Sequence, residues 1–406
     1  MQTRITETFL NSTQGQEADA ILRSCVHCGF CNATCPTYQL LSDELDGPRG
    51  RIYLIKQLLE GQTITDKTQT HLDRCLSCRS CETTCPSAVQ YGRLVDIGRE
   101  LLEQQVPRTA INHLQRFALR KLLPYPKRFL VFLKTGQWLR PLLPAPLQQH
   151  IPVAQKINRP QPHSVQARKM LLLQGCVQAI ATPNTNVAAA NILHKLGIEL
   201  IDTSRAGCCG AVSQHLSAAP EALSFMRANI DAWWPYIEQG AEAIVITASG
   251  CGTMIKEYGH LLKHDAQYAY KATMISERAK DISEILSAED MPVARIHPTV
   301  KHIAFQSPCS LQHAQQLNGV VESLLTRCGF TLAPVEDAHL CCGSAGTYSI
   351  LQPKLSQQLL DNKLAALKKQ TPELIISANI GCQLHLQSQA DVPVKHWIEL
   401  LDESFI

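Results

Sequence analysis

Hydrophobic positions along the chain follow two different patterns. Near the N-terminus, Pro48–Gly61 carries apolar residues at 52, 55, 58 and 59 and ends in glycine, which predicts an amphipathic helix. A second helix is predicted over Leu94–Leu102. Beyond residue 168, short apolar runs such as Met170–Leu173 alternate with helical stretches such as Val187–Leu196, which is typical of a parallel sheet covered by helices. We therefore expect a helical first part and an α/β second part.

The α/β part is duplicated, because its elements and its cysteines recur after 131 to 133 positions. The predicted strands are Met170–Leu173 and Ala243–Thr247 in the first copy, and Lys301–Phe305 and Leu374–Ser377 in the second. The predicted helices are Val187–Leu196 and Ser217–Ile237, then Val320–Arg327 and Lys354–Leu367. A further strand leads to Cys-Cys-Gly in each copy, and Asn229 pairs with Asn362. A period this long indicates duplicated domains.

Four cysteines recur in each copy, just past the carboxyl ends of predicted strands. They are Cys176, Cys208, Cys209 and Cys251, then Cys309, Cys341, Cys342 and Cys382. Ligands of open α/β sheets bind at this edge, so the topology predicts that four thiols meet in each copy. Such a set can hold a [4Fe-4S] or a [2Fe-2S] cluster, or can pack as small hydrophobic side chains.

The first hundred residues contain the pattern C-x2-C-x2-C-x3-C-P twice, 50 positions apart. Its cysteines are Cys25, Cys28, Cys31 and Cys35, then Cys75, Cys78, Cys81 and Cys85. Three thiolates at this spacing bind one cubane, and in a two-cluster protein the fourth binds the other cluster. We therefore predict two [4Fe-4S] clusters. The first is held by Cys25, Cys28, Cys31 and Cys85, and the second by Cys75, Cys78, Cys81 and Cys35.

Other uses of these cysteines fit less well. A zinc site takes two CxxC pairs, which leaves the third cysteine and the closing Cys-Pro surplus. Disulfides are disfavoured because Met1–Leu10 does not read as a secretory leader. We expect a cytoplasmic protein, since no stretch approaches the roughly 20 apolar residues of a membrane span. The net charge of +3 is too small to indicate a nucleic-acid partner. Cys328 belongs to none of the cysteine sets described above and is interpreted as a buried free thiol.

A basic segment separates the two parts. Between Glu103 and Glu199 there are thirteen Lys or Arg residues and no acidic ones, and eight of the thirteen lie between Arg108 and Arg140 among aromatic and aliphatic residues. Prolines, beginning at 124 and 126, predict short amphipathic segments followed by an extended linker. Three interpretations stay open: docking to an anionic membrane surface, docking to a partner subunit, or a solvated connector.

The whole chain resembles the iron-sulfur subunits of bacterial glycolate oxidase (glycolate dehydrogenase). More distantly it is similar to the C subunit of anaerobic glycerol-3-phosphate dehydrogenase and to the heterodisulfide reductase B/D family. The resemblance rests on Leu41–Arg51, Ala206–Ala211, Thr247–Gly252 and His339–Tyr348. The first quarter also resembles the α-helical ferredoxin domain of succinate dehydrogenase and fumarate reductase iron-sulfur subunits.

The resemblance implies a multi-domain α+β architecture. Its parts are an α-helical ferredoxin domain (1–103), a basic Pro-rich connector (104–166) and two tandem CCG domains with parallel sheets (167–290 and 291–406). It also implies a complex in which flavin-binding dehydrogenase subunits oxidise glycolate to glyoxylate. This chain would relay the electrons toward a quinone or other non-oxygen acceptor, peripherally on the cytoplasmic face of the inner membrane.

The sequence assigns no catalytic residue to this chain. Its tightest glycine clusters do not form a G-x-G-x-x-G turn that opens a helix, so the flavin and substrate sites are expected elsewhere. Alternative functions are the equivalent subunit of a D-lactate or glycerol-3-phosphate dehydrogenase, or a catalytic CCG half that reduces a disulfide or quinone. Ala248 and Asn379 stand where the heterodisulfide reductase pattern has a fifth cysteine, which weakens the expectation of its non-cubane clusters. The roles of His27, His339, Arg49 and Arg51 stay open.

Overall fold

The computed structural model describes residues 1–144, 148–149, 151–157, 166–300 and 302–405. Parts of the predicted connector 104–166, and Lys301 at the start of a predicted strand, lie outside these residues. The chain divides into two compact units. The first comprises 1–117, 214–218 and 339–363, and the second comprises 118–213, 219–338 and 364–406. This division does not test the predicted domain boundaries, which stay predictions.

The first unit is built mainly from helices that alternate with the two cysteine runs. They are α1 (Glu7–Leu10), α2 (Thr13–Ser24), α3 (Phe30–Ala33), α4 (Pro36–Leu41), α5 (Pro48–Leu59), α6 (Asp66–Asp73), α7 (Ser80–Thr83) and α8 (Tyr91–Gln105). A 3-10 turn spans Glu44–Asp46 and a short helix spans Tyr348–Leu351. The helices predicted at Pro48–Gly61 and Leu94–Leu102 are confirmed as α5 and as part of α8.

The core of the first unit forms where α2, α5 and α8 pack together. The apolar stripe of α5 supplies Ile55 and Leu58, and α8 supplies Leu94 and Val95, all at most 1 % exposed. Gly98 permits the close approach of α5 and α8, because a Cβ there would lie 2.7 Å from a side-chain carbon of Ile55. Cysteines of both runs belong to the same core cluster, so the helices fix the cysteine loops in place.

The basic segment folds into two helices that are longer than the predicted short segments. Helix α9 spans Ala110–Leu122 and α10 spans Pro126–Leu139, followed by a 3-10 turn over Arg140–Leu142. Prolines separate them as predicted, with Pro126 at the first position of α10. On α10, Phe129 and Leu133 pack into a small core, whereas the opposite face is exposed.

Among the described residues, the second unit contains two four-stranded sheets, and every strand pair in them is parallel. The first sheet, in order β2-β1-β3-β4, contains β1 (Arg168–Leu172), β2 (Ile198–Asp202), β3 (Ile244–Ile246) and β4 (Ala279–Asp281). The second, in order β6-β5-β7-β8, contains β5 (His302–Gln306), β6 (Thr331–Ala333), β7 (Leu374–Ser377) and β8 (Val394–His396). The predicted fold class is confirmed.

Helices connect the strands in both copies. Those of the first copy are Gln178–Ala181, Asn184–Lys195, Ala211–His215, Ala219–Glu238, Ser249–Lys256, Tyr258–Leu261, Ala269–Arg278 and Ile282–Ala288. Those of the second are Val320–Arg327, Pro353–Lys368, Ile380–Gln387 and Trp397–Glu403. The sequence predicted three strands per copy and missed the fourth, because β4 (Ala-Lys-Asp) and β8 (Val-Lys-His) lack the short apolar run that predicts strands such as Met170–Leu173 and Leu374–Ser377.

Both sheets of the second unit contribute to one hydrophobic core. Val245 on β3, Ile303 on β5 and Ile376 on β7 are fully buried in the same cluster. Backbone contacts also join the copies: the Ser249 N–H donates to the carbonyl of Ala378 at 3.1 Å. The two copies therefore form a single packed body within this unit.

Candidate metal centres

The two cysteine loops have the same backbone geometry. His27 and Ser77 have φ of 61° and 51°, and Gly29 and Arg79 have φ of 88° and 60°, so two left-handed residues recur at positions 50 apart. The N–H group of the first cysteine in each loop caps the preceding helix, 3.2 Å from a backbone carbonyl. Left-handed residues turn the chain sharply, and each loop therefore curls around a cavity.

The first cavity encloses about 440 Å³ of empty space, including space open to solvent. The cysteines lining it are Cys25, Cys28, Cys31, Cys81 and Cys85. Three come from the first run, and Cys85 is the fourth cysteine of the second run. The prediction that the two runs exchange their fourth cysteines requires Cys85 to lie at this cavity.

The second cavity encloses about 300 Å³. Its cysteines are Cys35, Cys75, Cys78 and Cys81. Here the fourth cysteine of the first run joins three of the second run, while Cys81 borders both cavities. Four soft thiol donors around each cavity form a donor set that suits a [4Fe-4S] cluster.

A buried arginine lies beside the second cavity. Arg51 is 1 % exposed, and its Nη1 lies 4.0 Å from Cys35 Sγ and 3.1 Å from Thr37 Oγ1. Its Nε donates to the carbonyl of His71 at 2.7 Å. A buried guanidinium next to thiols stabilises their negative form and that of any anionic group they hold. Arg51 therefore faces this cavity, and its effect on a bound cluster stays a prediction.

Asp46 anchors that arginine and is fully buried. It accepts from Arg51 Nη2 at 3.4 Å and from Arg74 Nη1 at 2.7 Å, and His71 Nδ1 lies 3.0 Å away. Asp43, Asp46 and His71 place three potential ligand atoms together. Because two guanidinium groups already engage Asp46, we interpret this group as an ion-pair network.

Cys75 has two hydrogen-bond donors next to its sulfur. The Ser77 N–H lies 3.4 Å and the Tyr91 hydroxyl 3.6 Å from its Sγ. Burial alone would raise the pKa of Cys75, but Arg51 and Arg99, followed by these hydrogen bonds, lower it below its ordinary value. The environment of the second cavity therefore favours a thiolate at this position.

Other cysteines at the cavities have raised pKa values. Burial, followed by the nearby Cys25 thiol, raises the pKa of Cys31 to about 11. Burial and then Cys78 and Cys75 raise the pKa of Cys81. Without metal these thiols are protonated at neutral pH, so binding of a metal centre must release protons.

Tyr348 belongs to the same compact unit and lies near the second cavity. Its hydroxyl donates to the carbonyl of Arg74 at 3.1 Å, and its side chain is 6 % exposed. Burial raises its pKa, Arg51 lowers it, and Cys75 and Cys341 raise it further. Tyr348 is therefore within electrostatic reach of both Cys75 and Cys341. No sequence pattern indicated that Tyr348 lies near the second cavity, because it is more than 250 positions from the cysteine runs.

In the first α/β copy the four predicted cysteines interact with one another. Hydrogen bonds with Cys176 and Cys209, followed by burial, raise the pKa of Cys208. Hydrogen bonding with Cys209, then burial and the negative charges of Cys209 and Cys176, raise the pKa of Cys251. The strand ends thus bring together the four thiols of this copy.

Asn229 and Tyr258 hold the Cys-Cys loop of the first copy. Asn229 accepts from the Gly207 N–H at 2.8 Å and donates to the Cys208 carbonyl at 2.8 Å. The Tyr258 hydroxyl donates to the Cys209 carbonyl at 2.9 Å. The loop backbone is therefore fixed independently of the thiols.

In the second copy, Cys309 and Cys382 belong to the second unit and Cys341 and Cys342 to the first, so the meeting of these four stays a prediction. Asn379, which replaces the fifth cysteine of the heterodisulfide reductase pattern, donates to Cys382 Sγ at 3.5 Å. It thereby occupies this position as a hydrogen-bond donor.

The pairing of Asn229 with Asn362 is wrong by one residue. A Cβ on Gly210 would meet the carbonyl of Ala222, and one on Gly343 would meet that of Ser356, an offset of 134. At that offset Lys363 corresponds to Asn229. Lys363 is 4 % exposed, whereas Asn362 is exposed.

The structure gives the positions of His27 and Arg49, whose roles the sequence left open. His27 lines the first cavity, where burial and then Arg49 lower its pKa. Arg49 Nε donates to Glu44 Oε1 at 2.6 Å, so it is already paired. Cys328 is 2 % exposed within the core shared by the two sheets, in agreement with its interpretation as a buried thiol.

Comparisons with known proteins match this arrangement. A family model described as a 4Fe-4S dicluster domain covers residues 21–89, and one described as a cysteine-rich domain covers residues 170–256 and 303–387. The glycolate oxidase iron-sulfur subunit of Escherichia coli (strain K12) is 54 % identical over 404 residues, which cover 100 % of this chain and 99 % of that protein. The chain belongs to the family of glycolate oxidase iron-sulfur subunits.

Other relatives extend the family comparison. A probable glycolate oxidase iron-sulfur subunit of Bacillus subtilis (strain 168) is 29 % identical over 397 residues, covering 90 % of this chain and 88 % of that protein. Lactate utilization protein A of Bacillus velezensis is 28 % identical over 247 residues, covering 58 % of this chain and 99 % of that protein. The dicluster match spans both cysteine runs and the cysteine-rich matches span both sets of four, which supports iron–sulfur clusters in this chain.

The search for membrane-spanning segments gave a negative result for the described residues. None of the helices in that part of the chain combines the length and apolar character needed to cross a bilayer.

Proposed function

We propose that this chain is the electron-transfer subunit of a glycolate dehydrogenase complex. It carries two [4Fe-4S] clusters and relays electrons from flavin-binding subunits, which oxidise glycolate to glyoxylate, toward a quinone or other non-oxygen acceptor. The observation that carries this proposal is the pair of cavities in which each cysteine run supplies the fourth cysteine of the other. Glycolate is proposed as the substrate because the chain belongs to the family of glycolate oxidase iron-sulfur subunits.

The residues around the cavities fit the clusters and define what the protein does for them. In this proposal Cys25, Cys28, Cys31 and Cys85 hold the first cluster, and Cys75, Cys78, Cys81 and Cys35 hold the second. Each cluster accepts and releases one electron at a time. Cys81 borders both cavities, so the two clusters are close neighbours.

The chain's own groups tune the second site more than the first. Arg51 and the Tyr91 hydroxyl approach the sulfurs of the second site. Hydrogen bonds to sulfur and nearby positive charge favour the more reduced, more negative state. We expect the second cluster to have the higher reduction potential for this reason.

We further propose a metal centre at Cys176, Cys208, Cys209 and Cys251. The support is that these thiols interact and that Asn229 and Tyr258 fix their loop. The equivalent set, Cys309, Cys341, Cys342 and Cys382, is proposed as a second such centre. No catalytic residue is assigned to the chain.

The exposed face of α10 supports a peripheral membrane position. Val131, Phe132 and Trp138 are 67 %, 60 % and 77 % exposed, and Lys127 and Lys134 are also exposed. Apolar side chains with interspersed cations are typical of a helix that lies on an anionic membrane surface. We propose that α10 makes this contact on the cytoplasmic face of the inner membrane.

A second donor remains a candidate because of one comparison. The similarity to Lactate utilization protein A over 58 % of the chain favours lactate as the alternative 2-hydroxyacid, and D-lactate is the form that the sequence analysis gave as an alternative. The test is to purify the tagged chain without air, identify the co-purifying flavoproteins, and add glycolate or D-lactate. The proposal predicts reduction of this chain's clusters by glycolate. Reduction by D-lactate alone would select the alternative, and reduction by neither would contradict the proposed function.

A further inference from the structure

The two cysteine loops share a backbone path but differ in exposure. Val26 is 67 % exposed, whereas Leu76, its equivalent 50 positions later, is 7 % exposed. Phe30 is 63 % exposed, whereas Ser80 is 1 % exposed. Cys28 is also exposed, while the equivalent Cys78 is only partly so. Only the first loop thus presents large apolar side chains to solvent.

These side chains form part of one surface at the first cavity. Val26, Cys28 and Phe30 all line that cavity. Tyr53, which is 45 % exposed on α5, extends the surface through an edge contact with His27 at 6.4 Å between ring centroids. We call Val26, Cys28, Phe30 and Tyr53 the port surface. Exposed apolar groups that cluster in this way typically mark an interaction site.

The second cavity is bordered by buried aromatic side chains and adjoins a different part of the same compact unit. Tyr91 and Tyr348 are 4 % and 6 % exposed. Tyr91 contacts the sulfur of Cys75, and Tyr348 is within electrostatic reach of Cys75 and Cys341. The first site therefore carries exposed apolar side chains, whereas the second adjoins buried residues of the segment that also carries Cys341 and Cys342.

From this asymmetry we propose that the port surface is the docking site of the flavin-binding partner, and that the first cluster is the point at which electrons enter the chain. A protein that docks on the port surface lies next to Cys28, the exposed ligand of the first cluster. Its redox cofactor is then close to that cluster, so the docked protein must be an electron carrier. Apolar and aromatic side chains at the centre of an interface supply most of its affinity. The second cluster then lies further along the relay, toward Cys341.

This inference rests on the proposed function, which supplies the donor. Each transfer moves one electron from the partner's reduced flavin to the oxidised cluster held by Cys25, Cys28, Cys31 and Cys85. The flavin is oxidised by one electron and the cluster is reduced by one. No bond in this chain forms or breaks, and the protons of the flavin pass to solvent.

The test measures binding and not only turnover. The double variant Val26→Ser/Phe30→Ser and the single variant Tyr53→Ser are purified without air, and their iron content is checked. Each is titrated with the flavin-binding subunits that co-purify with the wild-type chain. We expect the double variant to bind at least tenfold more weakly and Tyr53→Ser several-fold more weakly, with cluster spectra unchanged. Tyr53 lies outside the cysteine loop, so its variant keeps the test valid if the double variant loses its cluster.

Matched controls use exposed residues elsewhere. Ile111→Ser/Leu114→Ser replaces two side chains that are 73 % and 65 % exposed, and Tyr270→Ser replaces a tyrosine that is 70 % exposed. These variants should bind the partner like the wild type. Hydrogen exchange gives an independent readout: in the cluster-loaded chain, the partner should slow exchange of the backbone amides over Val26–Phe30.

Unchanged partner affinity in both port-surface variants would overturn this inference, as would equal hydrogen exchange over Val26–Phe30 with and without partner. Failure of the proposed function looks different. In that case the wild-type chain itself would co-purify with no flavoprotein, or its clusters would stay oxidised with glycolate and D-lactate.

Discussion

Arg51 and Asp46 form an ion pair in which Nη2 and Oδ1 are 3.4 Å apart and the side chains are 1 % and 0 % exposed. Removing one member of a buried pair leaves the other charge without compensation, which costs about 3–5 kcal/mol. Because Arg74 also pairs with Asp46, we expect the lower end of this range. The pair connects the fold of the first unit to the second cavity, since Arg51 also approaches Cys35.

Replacing this arginine should therefore destabilise the first unit. Arg51→Met is expected to lower its apparent Tm by roughly 6 °C or more and to accelerate loss of the second cluster. Anaerobic calorimetry and the decay of cluster absorbance measure both effects. The matched control is Arg49→Met, because Arg49 is partly exposed and pairs with Glu44, and it should shift Tm by less than half as much. Equal shifts for the two variants would contradict the role given to Arg51.

Tyr91→Phe should lower the reduction potential of the second cluster. The change removes the hydroxyl 3.6 Å from Cys75 Sγ and adds no charge. A hydrogen bond worth about 1 kcal/mol corresponds to about 43 mV for one electron, so we expect a decrease of tens of millivolts in a redox titration followed by paramagnetic resonance. The reduction potential of the first cluster should shift much less. A larger shift of the first cluster than of the second would contradict the role given to Tyr91.

Gly29→Ala should disrupt the first loop. Gly29 has φ of 88°, so an alanine there strains the backbone at a cost of about 1–3 kcal/mol. A Cβ would also lie 2.7 Å from Arg49 Nη1, at the tip of a flexible side chain that would have to shift. Gly197→Ala is the control, because Gly197 has φ of 76° and a Cβ there would meet nothing within 4 Å. Iron content should fall in Gly29→Ala and stay unchanged in Gly197→Ala. Full iron content in both would argue against the loop geometry.

The stability of the second unit should decrease as pH rises from about 4.5 to about 7. Burial raises the pKa of Glu399 to about 7, above its unfolded value of about 4.3. In this window the unfolded carboxyl ionises while the folded one stays protonated, so stability falls by up to about 3 kcal/mol. Asp281, whose pKa burial raises to about 6, acts in the same direction.

Glu399→Gln isolates the first of these groups. Its amide oxygen can still accept from Thr185, whose Oγ1 lies 2.5 Å from Glu399 Oε1, but it cannot ionise. Urea unfolding, followed by tryptophan fluorescence at several pH values, should show the variant gaining on the wild type as pH rises. A difference that does not depend on pH would contradict the raised pKa.

The α10 surface should bind anionic vesicles. Each basic residue near such a surface contributes about 1 kcal/mol, so Lys127→Gln/Arg128→Gln/Lys134→Gln should weaken binding to vesicles that contain phosphatidylserine by roughly a hundredfold. Sedimentation with vesicles measures this, and neutral phosphatidylcholine vesicles provide the comparison. Binding that is equally weak for wild type on both vesicle types would exclude the membrane role of α10.

The sequence predicted well what short-range patterns determine. The period of Pro48–Gly61 predicted α5, and the bounds predicted for Val320–Arg327 are those of the observed helix. The repeat also predicted the parallel sheets. The apolar pattern failed for β4 and β8, which contain no apolar run. The repeat misaligned Asn229 because the helix after Cys-Cys-Gly shifts by one residue between the copies.

Much of what surrounds the candidate site lay beyond prediction. Arg51 was noted near the cysteines, but its burial beside Cys35 depends on how α5 packs. Tyr91 belongs to no motif. Asp46 lies in the Leu41–Arg51 segment, but the sequence did not indicate its ion pairs, since a hydrogen bond to sulfur or a buried ion pair leaves no periodic trace. Tyr348 approaches the second cavity only because its segment folds into the same compact unit as the cysteine runs. Such contacts are set by tertiary packing.

The most direct test of the account is a comparison of ligand variants by low-temperature paramagnetic resonance after reduction with dithionite. The wild-type chain, purified without air, should show signals from both clusters and contain at least about eight irons. Cys85→Ser should lose the same signal as Cys28→Ser, and Cys35→Ser the same signal as Cys78→Ser. If Cys85→Ser instead matched Cys78→Ser, each run would hold its own cluster, and the exchange of cysteines on which this account depends would be wrong.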